Sequence, residues 1–322
     1  MLSDMPTYEY ITQAVDRITG SIHTTPVLSS RTFDTETNTR SLFKAENLQR
    51  IGAFKIRGAL NKIRSLSDKE KSRGVITFSS GNHGQATALA SRFENIPCVV
   101  VMPENARASK KNAAEGYGAE IVTAGTTSED RFVKAMELHE KYGYTVIPPY
   151  DDPFIIAGQG TCGLEIIEQI PDVDYVLIPV GGGGLISGCA MAIKTKMPSV
   201  KIIGVETEGA DDANQSFRKK ELIRYNSTNT IADGMRNLSL GNVNFKMILK
   251  YVDDMLTVSD EHVVHMMQFF FERMKIVVEP TGAVAPSAIR VHKERFENKK
   301  VCAIISGGNI GIEDFYHLVR NS

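Results

Sequence analysis

The sequence predicts an α/β protein with mainly parallel sheets covered by helices. Short β-branched runs alternate with longer stretches of helical periodicity, the βαβα order that builds a parallel sheet. Several of those runs are apolar throughout rather than alternating, as in strands covered on both faces.

The expected strands are GVITF (74–78), PCVVVM (97–102), AEIVTA (119–124), YTVIPP (144–149), YVLIPV (175–180), KIIGVE (201–206) and VCAIIS (301–306). Between them lie the helical patterns ATALASRFEN, ASKKNAAEGYG, SEDRFVKAMELHEKYG, GTCGLEIIEQI and LISGCAMAIKTKM. Ser128 is placed to cap the third of these, and Gly143 to end it. No Gly/Ser linker, low-complexity tract or internal repeat divides the chain, so a division must come from topology. Residues 74–149 carry strand–helix units of their own. They are expected to form a small domain inserted into a large one made of 1–73 and 150–322. In such folds ligands collect at the carboxyl ends of strands.

The 322 residues are 42% hydrophobic and 23% charged, a composition suited to one large or two medium globular domains. A net charge of −1 gives no electrostatic footprint for nucleic acid or an anionic membrane. No apolar run approaches the ~18 residues a membrane span needs. The start, MLSDMPTYEY, has neither the basic nor the apolar region of a signal peptide. Cys98, Cys162, Cys189 and Cys302 are far apart and form no CxxC, so they read as buried free thiols in a reducing, cytoplasmic compartment.

Chemistry is sought where strands end. After YVLIPV come four glycines and a helix, GGGGLISGCA (181–190). Glycines let backbone N–H groups converge on an anion, and a helix N-terminus adds its dipole, so this turn reads as a phosphate cradle. A dinucleotide fingerprint is the rival, with Glu206 as its acid. Its glycine spacing fails, because Gly182 and Gly184 are followed by Gly188, one residue late. After VCAIIS comes SGGNIG, again a glycine turn, with Ser306 and Asn309 as polar groups. Lys55 lies between Phe54 and Ile56 in GAFKIRG. A surface lysine at a helix start is the bland reading; with these apolar neighbours a partly buried amine is the other, and it would have a lowered pKa and could form a Schiff base. A phosphate cradle, a desolvated lysine and a serine after the last strand together suggest pyridoxal phosphate.

GAFKIRGA, SSGNHGQA, IAGQGT, GGGGLISG, TIADG, VEPTGA and SGGN follow in this order. In them the chain resembles the serine racemase and serine/threonine dehydratase family from about residue 7 onward. The resemblance implies a two-domain, fold-type II pyridoxal phosphate enzyme, similar to the tryptophan synthase β subunit, and a homodimer. It implies that Lys55 holds the cofactor and acts as base on one face, and that Phe54 packs on the ring. Asn82 would bond the ring hydroxyl and Ser306 the pyridine nitrogen. Gly181, Gly182, Gly183, Gly184 and Leu185 would bind phosphate through backbone amides. Ser79, Ser80, Asn82 and His83 would hold the substrate.

The resemblance also gives a reason for two adjacent serines in SSGNHG. Many dehydratases of the group have alanine at the second position, and racemases have serine. Racemisation needs a second acid/base opposite the lysine, the role implied for Ser80. A helix cap is the bland reading of the same residue. Glu206, the Ala210 carbonyl and Asp212 in GVETEGADD read on spacing alone as a solvated acidic turn. The resemblance makes them a site for Mg²⁺, with Mn²⁺ or Ca²⁺ as alternatives. Ser30, Lys111 and Tyr117 stand where animal serine racemases line an ATP site between subunits. The surrounding RIG (50–52) and LSSR depart from that pattern, which argues against nucleotide activation. Tyr150 stands where animal racemases carry a smaller amide and where fungal racemases and many dehydratases carry an aromatic.

The activity expected is interconversion of L- and D-serine, with elimination of serine to pyruvate and ammonia. The alternative is a dehydratase for L-threonine, L-serine or 3-hydroxyaspartate without racemisation. A non-catalytic, ligand-sensing relative is the reading from another class, and an intact Lys55 argues against it.

Overall fold

The computed structural model of the chain describes residues 5–79, 81–106 and 108–320. Its strands are β1 (Val27–Ser29), β2 (Arg40–Ala45), β3 (Val75–Thr77), β4 (Cys98–Met102), β5 (Glu120–Thr123), β6 (Thr145–Val146), β7 (Tyr175–Pro179), β8 (Lys201–Thr207), β9 (Asp254–Val258) and β10 (Lys300–Ile305). They form a six-stranded sheet in the order β1-β2-β10-β7-β8-β9 and a four-stranded sheet in the order β5-β4-β3-β6. Every pairing is parallel except β1 with β2. The expected α/β class with mainly parallel sheets is therefore what the chain forms. Fully apolar runs became the inner strands: all five residues of β4 are buried, as are four of the five in β7.

β1, β2 and β9 escape the sequence pattern for local reasons. β1 has three residues, and β9 is an edge strand carrying Asp254. β2 carries Arg40 and Lys44, and Lys44 is buried because Glu165 pairs with it across 2.5 Å. YTVIPP yields only Thr145–Val146, since prolines 148 and 149 have no N–H for a ladder.

Three helix starts differ from expectation. The helix read from Ala86 begins four residues earlier, at Asn82. Thr127, not Ser128, caps the Ser128–Tyr142 helix: its hydroxyl accepts from Asp130 N, and Asp130 returns the bond as a capping box. Gly143 ends that helix in the left-handed conformation, as expected. The helix read as starting at Gly160 begins at Pro153, with Asp152 as cap. Its glycines look like breakers but serve close packing. A Cβ on Gly158 would lie 2.6 Å from the Gly58 Cα, and one on Gly188 would lie 2.6 Å from Gly160 N. Three helices thus meet backbone to backbone.

The Lys55–Arg64 helix joins the core of the four-stranded sheet, which draws on residues on both sides of the expected boundary at residue 74. Ile56, Leu60 and Ile63 are fully buried there. Burial stabilises the fold by roughly 1.5–3 kcal/mol for each such side chain. Its third residue, Arg57, is also fully buried and pairs with Glu46 and Glu165, each across 2.7 Å. Burial would raise the Glu46 pKa, but the charges of Arg57 and Lys44 bring it below the usual carboxylate range. Removing one member would leave a buried charge unpaired, typically a loss of about 3–5 kcal/mol. Lys55 therefore starts a firmly anchored helix. All four cysteines are buried and free. Among the described residues no helix is long and apolar enough to cross a membrane.

Candidate active site

Lys55 is the first residue of its helix, and the chain reaches it along the turn that follows β10. Phe54 N donates to the Ser306 carbonyl (3.1 Å), and Gly308 N donates to the Gly52 carbonyl (2.9 Å). Ala53 and Gly307 form an antiparallel bridge between these contacts. Ile51 is held at φ 62°, a left-handed conformation that a β-branched side chain resists. Ser306 is buried, 2% exposed, directly beyond the strand. The sequence-distant motifs GAFK and SGGN are thus zipped together by backbone.

The Lys55 side chain is half-buried. Its ammonium donates to the Pro149 carbonyl (2.8 Å) and lies 5.2 Å from the Phe54 ring centre. Burial lowers its pKa to about 8, which leaves an appreciable fraction as free amine near neutrality. His83 is 3% exposed, and its Nε2 donates to the Ile147 carbonyl (3.0 Å). Burial first, then the nearby Lys55 charge, push its pKa to about 3, so the ring is neutral. Its Nδ1 is buried without a hydrogen-bond partner among the described residues.

The Asn82–Glu94 helix starts after β3 with Gly81 at its cap position and no side-chain cap. Its first N–H groups are therefore open to an anion such as a substrate carboxylate. Ser79 Oγ accepts from Gly81 N (3.3 Å) and so shapes this turn. Ser80 lies outside the described residues. Asn82 Nδ2 donates to Glu279 Oε1 (2.7 Å), while its Oδ1 accepts from Asn309 Nδ2 (2.8 Å). A second amide hydrogen remains on Asn82 for a ligand.

The glycine turn after β7 leads into the Gly184–Lys196 helix, whose buried N-terminus has no side-chain cap. Gly183 has φ +92°, which favours glycine. A Cβ on Gly181 would lie 2.5 Å from the Gly234 carbonyl oxygen, and one on Gly182 would lie 2.3 Å from the Tyr150 ring. Leu185 is buried at the start of the helix. Residues 147–151 connect the parts: Ile147 receives His83, Pro149 receives Lys55, Tyr150 lies on the glycine turn, and Asp151 caps the Asn242–Tyr251 helix through Asn242 N and Val243 N.

Glu206 is the last residue but one of β8, which leads into an acidic turn. Its oxygens accept from Ala213 N (3.2 Å) and Asn214 N (2.7 Å), capping the Asp212–Lys219 helix. Ala210 and Asp212 are buried beside it, and Asp212 Oδ2 has no partner among the described residues. Burial, then the Asp212 charge, push the Glu206 pKa well up. Burial, with Asp211 adding, takes Asp212 to about 7. Two buried carboxylates and one orphan oxygen suit a hard cation that would neutralise both. Among the described residues no three acidic, histidine or cysteine side chains cluster as a metal group, so further ligands would be carbonyls or water. Of the positions compared with a nucleotide site, Ser30 caps the Arg31–Thr37 helix, and Lys111 donates to the Glu104 carbonyl (3.3 Å).

The family described as pyridoxal-phosphate dependent enzyme matches residues 18–307. The chain belongs to that family. L-threo-3-hydroxyaspartate ammonia-lyase of Saccharomyces cerevisiae is 45% identical over 315 residues, 98% of this chain and 97% of that one. Serine racemase of Schizosaccharomyces pombe is 44% identical over 315 residues, 98% of each chain. The structure of maize serine racemase superposes with a TM-score of 0.94 at 39% identity, covering 99% of this chain and 98% of that one.

Family membership implies pyridoxal phosphate, and the residues of this pyridoxal phosphate enzyme fit it. An uncapped, buried helix N-terminus behind four glycines suits a phosphate, and a half-buried lysine of lowered pKa suits an aldehyde. Sequence reading alone missed Pro149, Glu279, Asp151 and the bridging part of Asn309. Pro149 and Asp151 flank Tyr150, and the adjacent prolines of IPPYD were the available signal. Glu279 lies within VEPTGA, where no local pattern gives its acid a partner.

Proposed function

We propose that this enzyme is a serine racemase that also eliminates water from serine, giving pyruvate and ammonia. The observation that carries the reading is Lys55, whose half-buried amine is held at Pro149 with its pKa brought down to about 8. Bound pyridoxal phosphate supplies an electron sink for the bonds to Cα. Lys55 removes the α-proton on one face, and Ser80 returns a proton on the other. Ser79, Asn82 and His83 hold the amino acid at the uncapped helix N-terminus. Gly181 to Leu185 hold the phosphate, Phe54 flanks the ring, and Asn82 and Ser306 take its hydroxyl and nitrogen. Glu206, the Ala210 carbonyl and Asp212 hold Mg²⁺, with Mn²⁺ or Ca²⁺ as alternatives. The same reading takes 74–149 as a small domain inserted in the large one, the two sheets supporting it. It places the enzyme in the cytoplasm as a homodimer.

A second reading is a dehydratase of 3-hydroxy amino acids without racemisation. The ammonia-lyase relative at 45% identity favours it as much as the racemase at 44% favours the first. The holoenzyme should be given L-serine, L-threonine and L-threo-3-hydroxyaspartate in turn, with keto acid and D-amino acid measured by chiral chromatography. D-Serine formed alongside pyruvate supports the first reading. Keto acid from any of the three with no D-serine removes it in favour of the second.

A further inference from the structure

Behind the glycine turn sits a buried amide that no motif marks. Asn244, on the Asn242–Tyr251 helix, is fully buried, and its Nδ2 donates to the Gly182 carbonyl (3.0 Å). Gly241 N donates to the same oxygen (3.2 Å). The Gly182 carbonyl is thus turned toward this helix by two donors. No peptide bond among the described residues is cis, so the N–H of the Gly182–Gly183 peptide points the opposite way, away from Asn244. Gly183 is the cap residue of the uncapped Gly184–Lys196 helix, where an anion would take the free N–H groups. Asn244 also forms the floor of the turn, since a Cβ on Gly183 would lie 2.8 Å from its own Cβ.

The remaining amide oxygen, Asn244 Oδ1, is buried without a partner among the described residues. Rotating the amide would face that oxygen to the Gly182 carbonyl, acceptor against acceptor, and would strip the carbonyl of a donor. An apolar residue of similar size would avoid the unsatisfied oxygen altogether. What the asparagine adds over such a residue is the hydrogen bond to Gly182.

We propose that Asn244 is a positioning residue for the phosphate cradle: it fixes the Gly182–Gly183 peptide so that the Gly183 N–H faces the cofactor phosphate. The proposal rests on reading Gly181–Leu185 as that cradle.

The test uses the full chain stripped of cofactor and titrated with pyridoxal phosphate, with the ³¹P shift of the bound cofactor as second readout. Asn244→Leu should weaken binding about tenfold, the worth of one good hydrogen bond. Asn244→Asp, closer in shape but facing the carbonyl with a carboxylate, should weaken it further, and both should move the ³¹P shift. A packing role predicts the reverse order, because aspartate keeps the shape better. Wild-type affinity in both variants, or leucine weaker than aspartate, overturns the proposal. If the leucine variant does not fold, the aspartate variant decides alone against wild type, and wild-type affinity in it is the overturning result. Gly182→Ala separates the two premises. If it leaves cofactor affinity unchanged, the cradle reading itself fails, whatever Asn244 does.

Discussion

Asn309 donates its amide to Asn82 Oδ1 across 2.8 Å, joining the turn after β10 to the first turn of the Asn82–Glu94 helix. The same nitrogen donates to the Ile51 carbonyl (2.6 Å), four residues before Lys55. One side chain therefore ties together the approach to the lysine, the SGGN turn and the SSGNHG turn. It also holds Ile51 in its left-handed conformation, which a β-branched residue adopts only when its surroundings enforce it.

Asn309→Ala removes both bonds and leaves the Asn82 oxygen with one partner fewer. At about 0.5–1.5 kcal/mol per bond the loss should be roughly 1–3 kcal/mol. Urea unfolding measures it, and an unchanged midpoint would show that the bridge is not maintained in solution. Turnover should fall with it, because the Lys55 approach loses its anchor.

Lys55 gives a pH signature. Its pKa in the folded, cofactor-free chain is about 8, against the ordinary value of 10.5, because burial disfavours the charged form. Between those values the unfolded chain binds more protons than the folded one, so stability rises with pH. The destabilising cost is fully present below about pH 8 and is relieved as pH climbs toward 10.5. Thermal unfolding of the cofactor-free chain and of Lys55→Met across this range should differ by a rising component present only in the lysine form. Parallel curves would mean that the amine is solvated and ordinary. Lys55→Met should also abolish turnover and covalent cofactor attachment, checked by borohydride reduction and mass spectrometry.

Much of this arrangement was legible in the sequence because it follows strands. The apolar runs 175–180 and 301–306 announce β7 and β10, and the glycines after them announce turns at their carboxyl ends. Lys55 stood out through its apolar neighbours. What stayed hidden are contacts between residues far apart in the chain. Asn82 meets Asn309 at a separation of 227 residues, and Asn244 meets Gly182 at 62. No local pattern encodes such pairs, since an asparagine in a turn or a helix has ordinary local uses. Lys44 misled in the opposite sense: a charge within β2 hides a strand unless its partner Glu165 is known to be beside it.

The acidic turn predicts a response to cations. Glu206 and Asp212 are buried together, and one Asp212 oxygen is unpartnered, so an ion bound only in the folded state would add stability. Chelation should lower the melting temperature and Mg²⁺ should restore it. At a free concentration of 100 times Kd the gain is about 2.7 kcal/mol. Asp212→Asn should blunt the response. Indifference of the wild-type enzyme to both chelator and Mg²⁺, Mn²⁺ or Ca²⁺ would return Glu206 to the helix-capping task its bonds to Ala213 and Asn214 already perform.

Ser80 separates the two activities proposed. Elimination needs one base, Lys55, to take the α-proton, and then a leaving group. Racemisation needs a second proton carrier on the opposite face. Ser80→Ala should cut D-serine formation from L-serine by roughly two orders of magnitude, the usual scale for a lost acid or base. Pyruvate formation from L-serine should survive far better, whereas pyruvate formation from D-serine should fall with racemisation. Ser79 and the glycines remain, so the turn and cofactor binding should persist, which the visible absorbance of the same sample checks. A parallel fall of both activities would make Ser80 a residue that shapes the turn. If neither falls, the second proton comes from another group, and the neutral, buried His83, three residues on in the chain, becomes the next position to substitute.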